Sequence, residues 1–172
     1  MPEMPDFDVV SLPETDHVDE GDTAPDFTRP LVDEEYWEDR ALSEVVDGPT
    51  LLLFHPMNGA FQATYLYNTV DDHGWADDLE VVGVSISSPY AHKRLLSERG
   101  DGARIFSDPG AGVIGEYGLE HDIDGMTGIT ESRPAVFLLD ADRTVEYAWV
   151  ASEHPEFPDA EPIEDAIDRL VD

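Results

Sequence analysis

The sequence contains no cysteine and a single lysine, Lys93. Without cysteine the chain has no disulfide, no thiolate nucleophile, no Cys-ligated zinc and no iron–sulfur cluster. Only 9 Lys plus Arg stand against 40 Asp plus Glu, for a formal net charge of -31. A nucleic-acid or anionic-membrane partner is repelled by such a field, so neither is expected. No apolar run approaches the ~20 residues needed to cross a bilayer, so no membrane span is expected. The first residues, Met-Pro-Glu-Met-Pro-Asp, have neither the basic region nor the apolar region of a secretory signal, and the expected compartment is the cytoplasm. There is no internal repeat and no Gly-rich phosphate loop.

Hydrophobic residues nevertheless make up 41% of the 172 residues. A chain of this length is one domain that buries roughly 70% of its unfolded surface. The acids run along the whole sequence, so their mutual repulsion acts on the fold itself. At ~1 M salt the Debye length falls to about 3 Å and that repulsion is screened. Many acids, almost no Lys and an ordinary core resemble the proteins of salt-accumulating halophilic archaea, and high salt is expected to be needed for stability.

Residues 1–20 read as an acidic, loosely held lead-in, with a short edge strand conceivable over Phe7 to Leu12, and residues 21–172 as one domain. Phe27 to Val32 reads as a strand that Pro30 restricts to an edge. Glu34 to Val46 carries Tyr36, Trp37, Leu42, Val45 and Val46 at helical spacings. Thr50 to Phe54, Glu80 to Ile86 and Ala135 to Leu139 are apolar runs of the kind found in buried strands. Gly59 to Val70 has a helical face. Pro89 to Arg99 is a helix opened by Ser88 as N-cap and Pro89 at the first position. Arg104 to Phe106 is a short strand and Ala111 to Tyr117 a short helix closed by Gly118. Asp140 to Arg143 turns into a strand over Thr144 to Val150, and Glu161 to Val171 forms the last helix. This alternation predicts an α/β fold of layered type with a mixed central β-sheet flanked by helices.

The segments line up, in order, with a known family over residues 21–151. Gly21-Asp22-Thr23-Ala24-Pro25-Asp26-Phe27 resembles a "G-x-x-A-P-D-F" opening. Leu53-Phe54-His55-Pro56 resembles a strand ending in "F-Y-P". Val82 to Ser88 resembles "V-x-G-x-S-x-D-S". Ser107-Asp108 with Glu116-Tyr117-Gly118-Leu119 resembles "S-D … Y-G-V", and Ala135 to Asp140 resembles "x-x-F-x-I-D". Together these resemble the peroxiredoxins, the alkyl hydroperoxide reductase C/thiol-specific antioxidant branch of the thioredoxin-like superfamily. The resemblance implies a thioredoxin-like three-layer fold, an antioxidant thiol peroxidase, and a homodimer or a redox-protein partner.

It also implies a site that this sequence does not complete. The family carries "T-x-x-C" at a helix start, where the helix dipole and nearby donors lower the thiol pKa. Counted from Pro56, the Thr place falls on Ala60 and the Cys place on Ala63. The family Arg, three residues before the strand Phe, falls on Pro134, with Arg133 one residue earlier. Ser132-Arg133-Pro134 also resembles the corner that holds the cis-proline of thioredoxins. Three departures together point to natural loss.

The residues grouped around that pocket are His55, Pro56, Asn58, Ala60, Ala63, Thr64, Arg133 and Pro134. His55 stands in the family's aromatic place and is most simply read as filling it; the lesser reading is a neutral imidazole acting as a base or metal ligand. Asn58-Gly59 is a turn, and Thr64 is a helix-start residue. Asp71-Asp72-His73, His121-Asp122 with Asp124, and Asp140-Ala141-Asp142 read as solvated loops or turns, so no metal is expected, and no cofactor. Lys93, Arg94, Arg99 and Arg104 form a basic group that local pairing with Glu98 and Asp101 accounts for. Three functions compete. The first is a redoxin without a peroxidatic cysteine that binds or regulates. The second is an antioxidant oxidoreductase working only with a cysteine-bearing partner. The third is unrelated chemistry using His55 and Arg133.

Overall fold

The computed structural model describes residues 10–99, 102–121 and 126–171. In chain order the elements are β1 (Val10–Ser11), β2 (Thr28–Val32), β3 (Trp37–Ala41), α1 (Leu42–Val45), β4 (Thr50–Phe54), α2 (Phe61–His73), α3 (Trp75–Asp78), β5 (Glu80–Ser85), α4 (Pro89–Arg99), β6 (Arg104–Ser107), α5 (Gly112–Glu116), β7 (Glu120–His121), β8 (Glu131–Ser132), β9 (Ala135–Leu139), β10 (Val145–Val150), β11 (Glu153–His154) and α6 (Ala160–Val171). Seven strands form one mixed sheet in the order β10-β9-β4-β5-β6-β2-β3. β4, β5 and β6 are parallel, while β9 and β10 on one side and β2 and β3 on the other run antiparallel to their neighbours.

Alternation along the central strands divides the core between the two faces of the sheet. Leu52 and Phe54 of β4, Val82 and Val84 of β5, and Phe137 of β9 join Val113, Ile114 and Tyr117 from the α5 side. Leu51 and Leu53, Val81, Val136 and Leu138 point the other way, against Leu66, Tyr67 and Val70 of α2, Leu96 of α4, and Ile163 and Ile167 of α6. The result is the three-layer α/β arrangement expected. All five residues of β4 and all five of β9 are buried, which explains why both were visible as unbroken apolar runs.

Local signals fix several boundaries. Ser88 Oγ accepts from Ala91 N–H at 3.2 Å, so Ser88 caps α4 as its sequence suggests. Asp108 is 1% exposed, and its Oδ2 accepts from the amides of Val113 and Ile114 at 2.9 and 3.0 Å. Arg29 Nε donates to the other oxygen at 3.1 Å. The first amides of α5 are therefore taken by Asp108.

Three expectations are corrected. The predicted helix over residues 34–46 is instead a strand, Trp37–Ala41, followed by the four-residue helix Leu42–Val45. The cause is Asp33, whose Oδ1 accepts from the amides of Glu35 and Tyr36, both at 2.8 Å. An Asp before two Glu looks like a helix cap, but here its carboxylate closes a hairpin turn. β2 is consequently not the edge strand, because β3 covers it. Pro30 is tolerated because β2 bonds to β6 only at Leu31 and Val32, leaving the Pro30 side open there. The lead-in is also not loose from residue 10 onward. Val10–Ser11 pair with Glu153–His154, Leu12 N–H donates to Ser152 O at 2.9 Å, and Leu12 and Val18 are buried. Phe7, where the sequence suggested that strand begins, lies outside the described residues.

Candidate functional site

The parallel strands β4, β5 and β6 end side by side, and their carboxyl ends lead into His55-Pro56, Ser87-Ser88 and Asp108. In an open α/β sheet this is where ligands bind. After His55 and Pro56 the chain makes a tight turn, with Ala60 N–H donating to Met57 O at 3.0 Å and Gly59 at φ 91°. A positive φ at the third turn position favours Gly, which is the reason for Asn58-Gly59. The turn delivers Ala60 as the N-cap of α2, in extended backbone (φ -68°, ψ 141°) and with no side-chain cap. Ala63, the third helical residue, is 2% exposed. Thr64, next to it, is exposed and faces away from that buried side.

His55 is completely buried. Its Nδ1 lies 2.7 Å from Pro56 O, and a carbonyl only accepts, so Nδ1 carries the proton. Nε2 therefore accepts from the Tyr67 hydroxyl of α2, also at 2.7 Å. Burial lowers the His55 pKa from 6.5 to about 4, with the Pro56 hydrogen bond opposing. Gly83 of β5 makes the pair possible. A Cβ on Gly83 would lie 2.0 Å from the Tyr67 hydroxyl oxygen and 3.2 Å from His55 Nε2.

A second buried imidazole, His92 of α4, stands close by. Asn58 Nδ2 donates to its Nδ1 at 3.0 Å, and its Nε2 faces Ser85 Oγ at 3.5 Å. Burial, and secondarily the nearness of His55, lowers the His92 pKa to about 3. Asn58 N–H donates to Ser87 Oγ at 2.9 Å, and Met57 N–H donates to the buried Glu131 carboxylate at 2.7 Å. The polar groups at the start of α2 thus bond mainly to one another, and both imidazoles are neutral near pH 7. Asn58 Oδ1 is buried without a partner.

β9 brings Pro134 to this place, since Ala135 pairs with Phe54 and Pro134 is the next residue in register, opposite His55. Pro134 O accepts from Ala151 N–H at 3.0 Å. Arg133 takes a different direction. It is 3% exposed, and its Nη1 donates to Pro13 O at 3.0 Å. The cavity that it lines is bounded by residues 12–15, 17 and 150–152, and by no residue of the α2 start.

The structure therefore gathers His55, Pro56, Asn58, Ala60 and Ala63 at one strand-to-helix corner with Pro134 beside it, while Thr64 and Arg133 point elsewhere. Tyr67, Gly83, His92 and Glu131 were not anticipated at this corner. A glycine inside the apolar run Glu80 to Ile86 was the one available signal, since such a glycine marks a close approach. Among the basic residues, Arg94 pairs with Glu98 at 3.2 Å, Arg104 Nε with Glu80 at 3.0 Å, and Arg99 Nη2 with Asn68 at 3.0 Å. Asp101, Asp122 and Asp124 lie outside the described residues.

A mixed seven-strand sheet between helices, with a tight turn feeding the N-terminus of α2 at the ends of its parallel strands, is a thioredoxin-like architecture. The AhpC/TSA family model matches residues 20–148, and the chain belongs to that family. The structure is similar to peroxidoxin BcpB from Mycobacterium tuberculosis, with 24% identity, 90% of this chain and 97% of that one covered, and a TM-score of 0.72. It is also similar to the reduced 2-Cys peroxiredoxin of Plasmodium vivax, with 20% identity, 88% and 81% covered, and a TM-score of 0.69. For AhpC of Enterococcus faecalis the values are 15% identity, 87% and 90% covered, and a TM-score of 0.71. No curated protein sequence matches significantly.

Proposed function

We propose that this chain is a redoxin that lacks the peroxidatic cysteine and acts by binding or regulation, without peroxide turnover of its own. The observation that carries this reading is the first turn of α2. Ala60 is an N-cap with no oxygen to offer, and Ala63 fills the buried third position where the family resemblance places the thiol. Against repurposed chemistry on His55 and Arg133 stands the use of both His55 nitrogens, by Pro56 and Tyr67, while Arg133 reaches toward Pro13. The protein works in the cytoplasm, as a homodimer or with a redox-protein partner.

The test is hydroperoxide consumption by the purified chain with a dithiol reductant supplied. The expected rate is that of the reductant alone; removal of peroxide at enzymatic rates would overturn the proposal. A rate that appears only on adding a cysteine-bearing partner would favour the antioxidant reading instead. High salt stabilises this fold by screening its -31 charge. Tm should rise steeply between dilute buffer and molar KCl, and an unchanged Tm defeats that part.

A further inference from the structure

We propose that the cavity between residues 12–17 and 150–152 binds a small aliphatic carboxylate, held by the guanidinium of Arg133. This goes beyond the reading of the α2 corner and does not depend on it, because the cavity contains no residue of that corner.

Arg133 is 3% exposed, yet its Nε is buried with no hydrogen-bond partner. Its hydrogen bond among the described residues is the one from Nη1 to Pro13 O at 3.0 Å. No carboxylate forms an ion pair with it among the described residues. In a chain with 40 acidic residues, a buried cation without a counter-ion is the exception. A buried charge is costly unless it is paired and hydrogen-bonded. Burial depresses the Arg133 pKa, in keeping with that cost.

Nη2 makes no hydrogen bond among the described residues, and Nε, beside it on the same edge, is covered and without a partner. Two parallel N–H donors on that edge match the two oxygens of a carboxylate. The cavity measures about 240 Å³, many times the ~10–15 Å³ that a single water needs by the same measure. Leu12, Pro13 and Val150 give it an apolar side suited to a short hydrocarbon tail, while Thr15 and Ser152 add hydroxyls. This mixture of an apolar lining with a few converging polar groups is typical of small-ligand sites. Glu14 stands on the same wall and is exposed. It opposes anion entry, and its own carboxylate is the alternative occupant.

The experiment uses the full chain in about 1 M potassium salt, where its net charge is screened. Propionate is titrated calorimetrically in exchange for chloride at constant ionic strength. One saturable site per chain is expected. Arg133→Lys keeps the charge but loses the fork, and should weaken propionate binding at least tenfold while circular dichroism is unchanged. Glu14→Gln should tighten it several-fold, and this variant carries the test should Arg133→Lys fail to fold. The proposal is overturned by the absence of saturable heat, by equal affinity in Arg133→Lys, or by unchanged affinity in Glu14→Gln. Chloride competing as well as propionate also overturns it, since that marks a generic anion effect.

Discussion

Gly83→Ala is the smallest change that should break the buried corner. The added Cβ would meet the Tyr67 hydroxyl oxygen at 2.0 Å, His55 Nε2 at 3.2 Å and Tyr67 Cζ at 3.3 Å. Tyr67 is 1% exposed and His55 0%, so neither ring can swing into solvent. Overpacking of this kind costs ~1–3 kcal/mol. Displacing the hydroxyl also breaks its 2.7 Å bond to His55, and a buried group left unsatisfied costs a further ~1–3 kcal/mol. The sum is about 4 kcal/mol, and at ~2–4 °C per kcal/mol for a chain of this size Tm should fall by roughly 8–16 °C. The assay is thermal and denaturant unfolding in molar KCl, run as a cycle with Tyr67→Phe. Removing the hydroxyl removes the closest clash, so Gly83→Ala should cost only about 1 kcal/mol in the Tyr67→Phe background. A Gly83→Ala protein as stable as the parent, or an equal penalty in both backgrounds, would refute the reasoning.

Two further outcomes follow from the same corner. Both buried imidazoles favour the neutral state when folded, so the unfolded chain takes up protons first as pH falls below 6.5. Stability should be level above that pH and decline down to about pH 4, where His55 itself titrates; at 1.36 kcal/mol per pKa unit the His55 share is about 3 kcal/mol. His55→Phe should flatten the slope of unfolding free energy against pH in this window, and an unaltered slope would contradict the assignment. Ala60→Thr supplies the missing N-cap oxygen in a backbone conformation suited to it, and should raise stability by ~1 kcal/mol in denaturant unfolding.

Much of this fold was legible because its central strands are buried on both faces, leaving β4 and β9 as continuous apolar runs, and because Ser88-Pro89 marks a helix start. The hairpin of β2 and β3 was hidden by Asp33, whose carboxylate suits a turn as well as a helix cap. At the site, the places of Ala60 and Ala63 came from counting along one segment. The polar network did not, because His55, Tyr67, Gly83 and His92 sit on four separate elements or their ends. Pairwise spacing in sequence carries no trace of such an arrangement. Arg133 was assigned to the pocket by its nearness to Pro134, but a side chain can leave a strand end in another direction, and this one reaches the lead-in.

We propose that this family scaffold keeps the place of its thiol at Ala63, although the Thr at Ala60 and the Arg at Pro134 have gone with the thiol. The most direct measurement is the thiol pKa of the Ala60→Thr/Ala63→Cys protein, read by ultraviolet absorbance or alkylation rate across pH. The amides and dipole at the start of α2 should hold it below the ~8.5 of free cysteine. A value at or above that figure would contradict the placement.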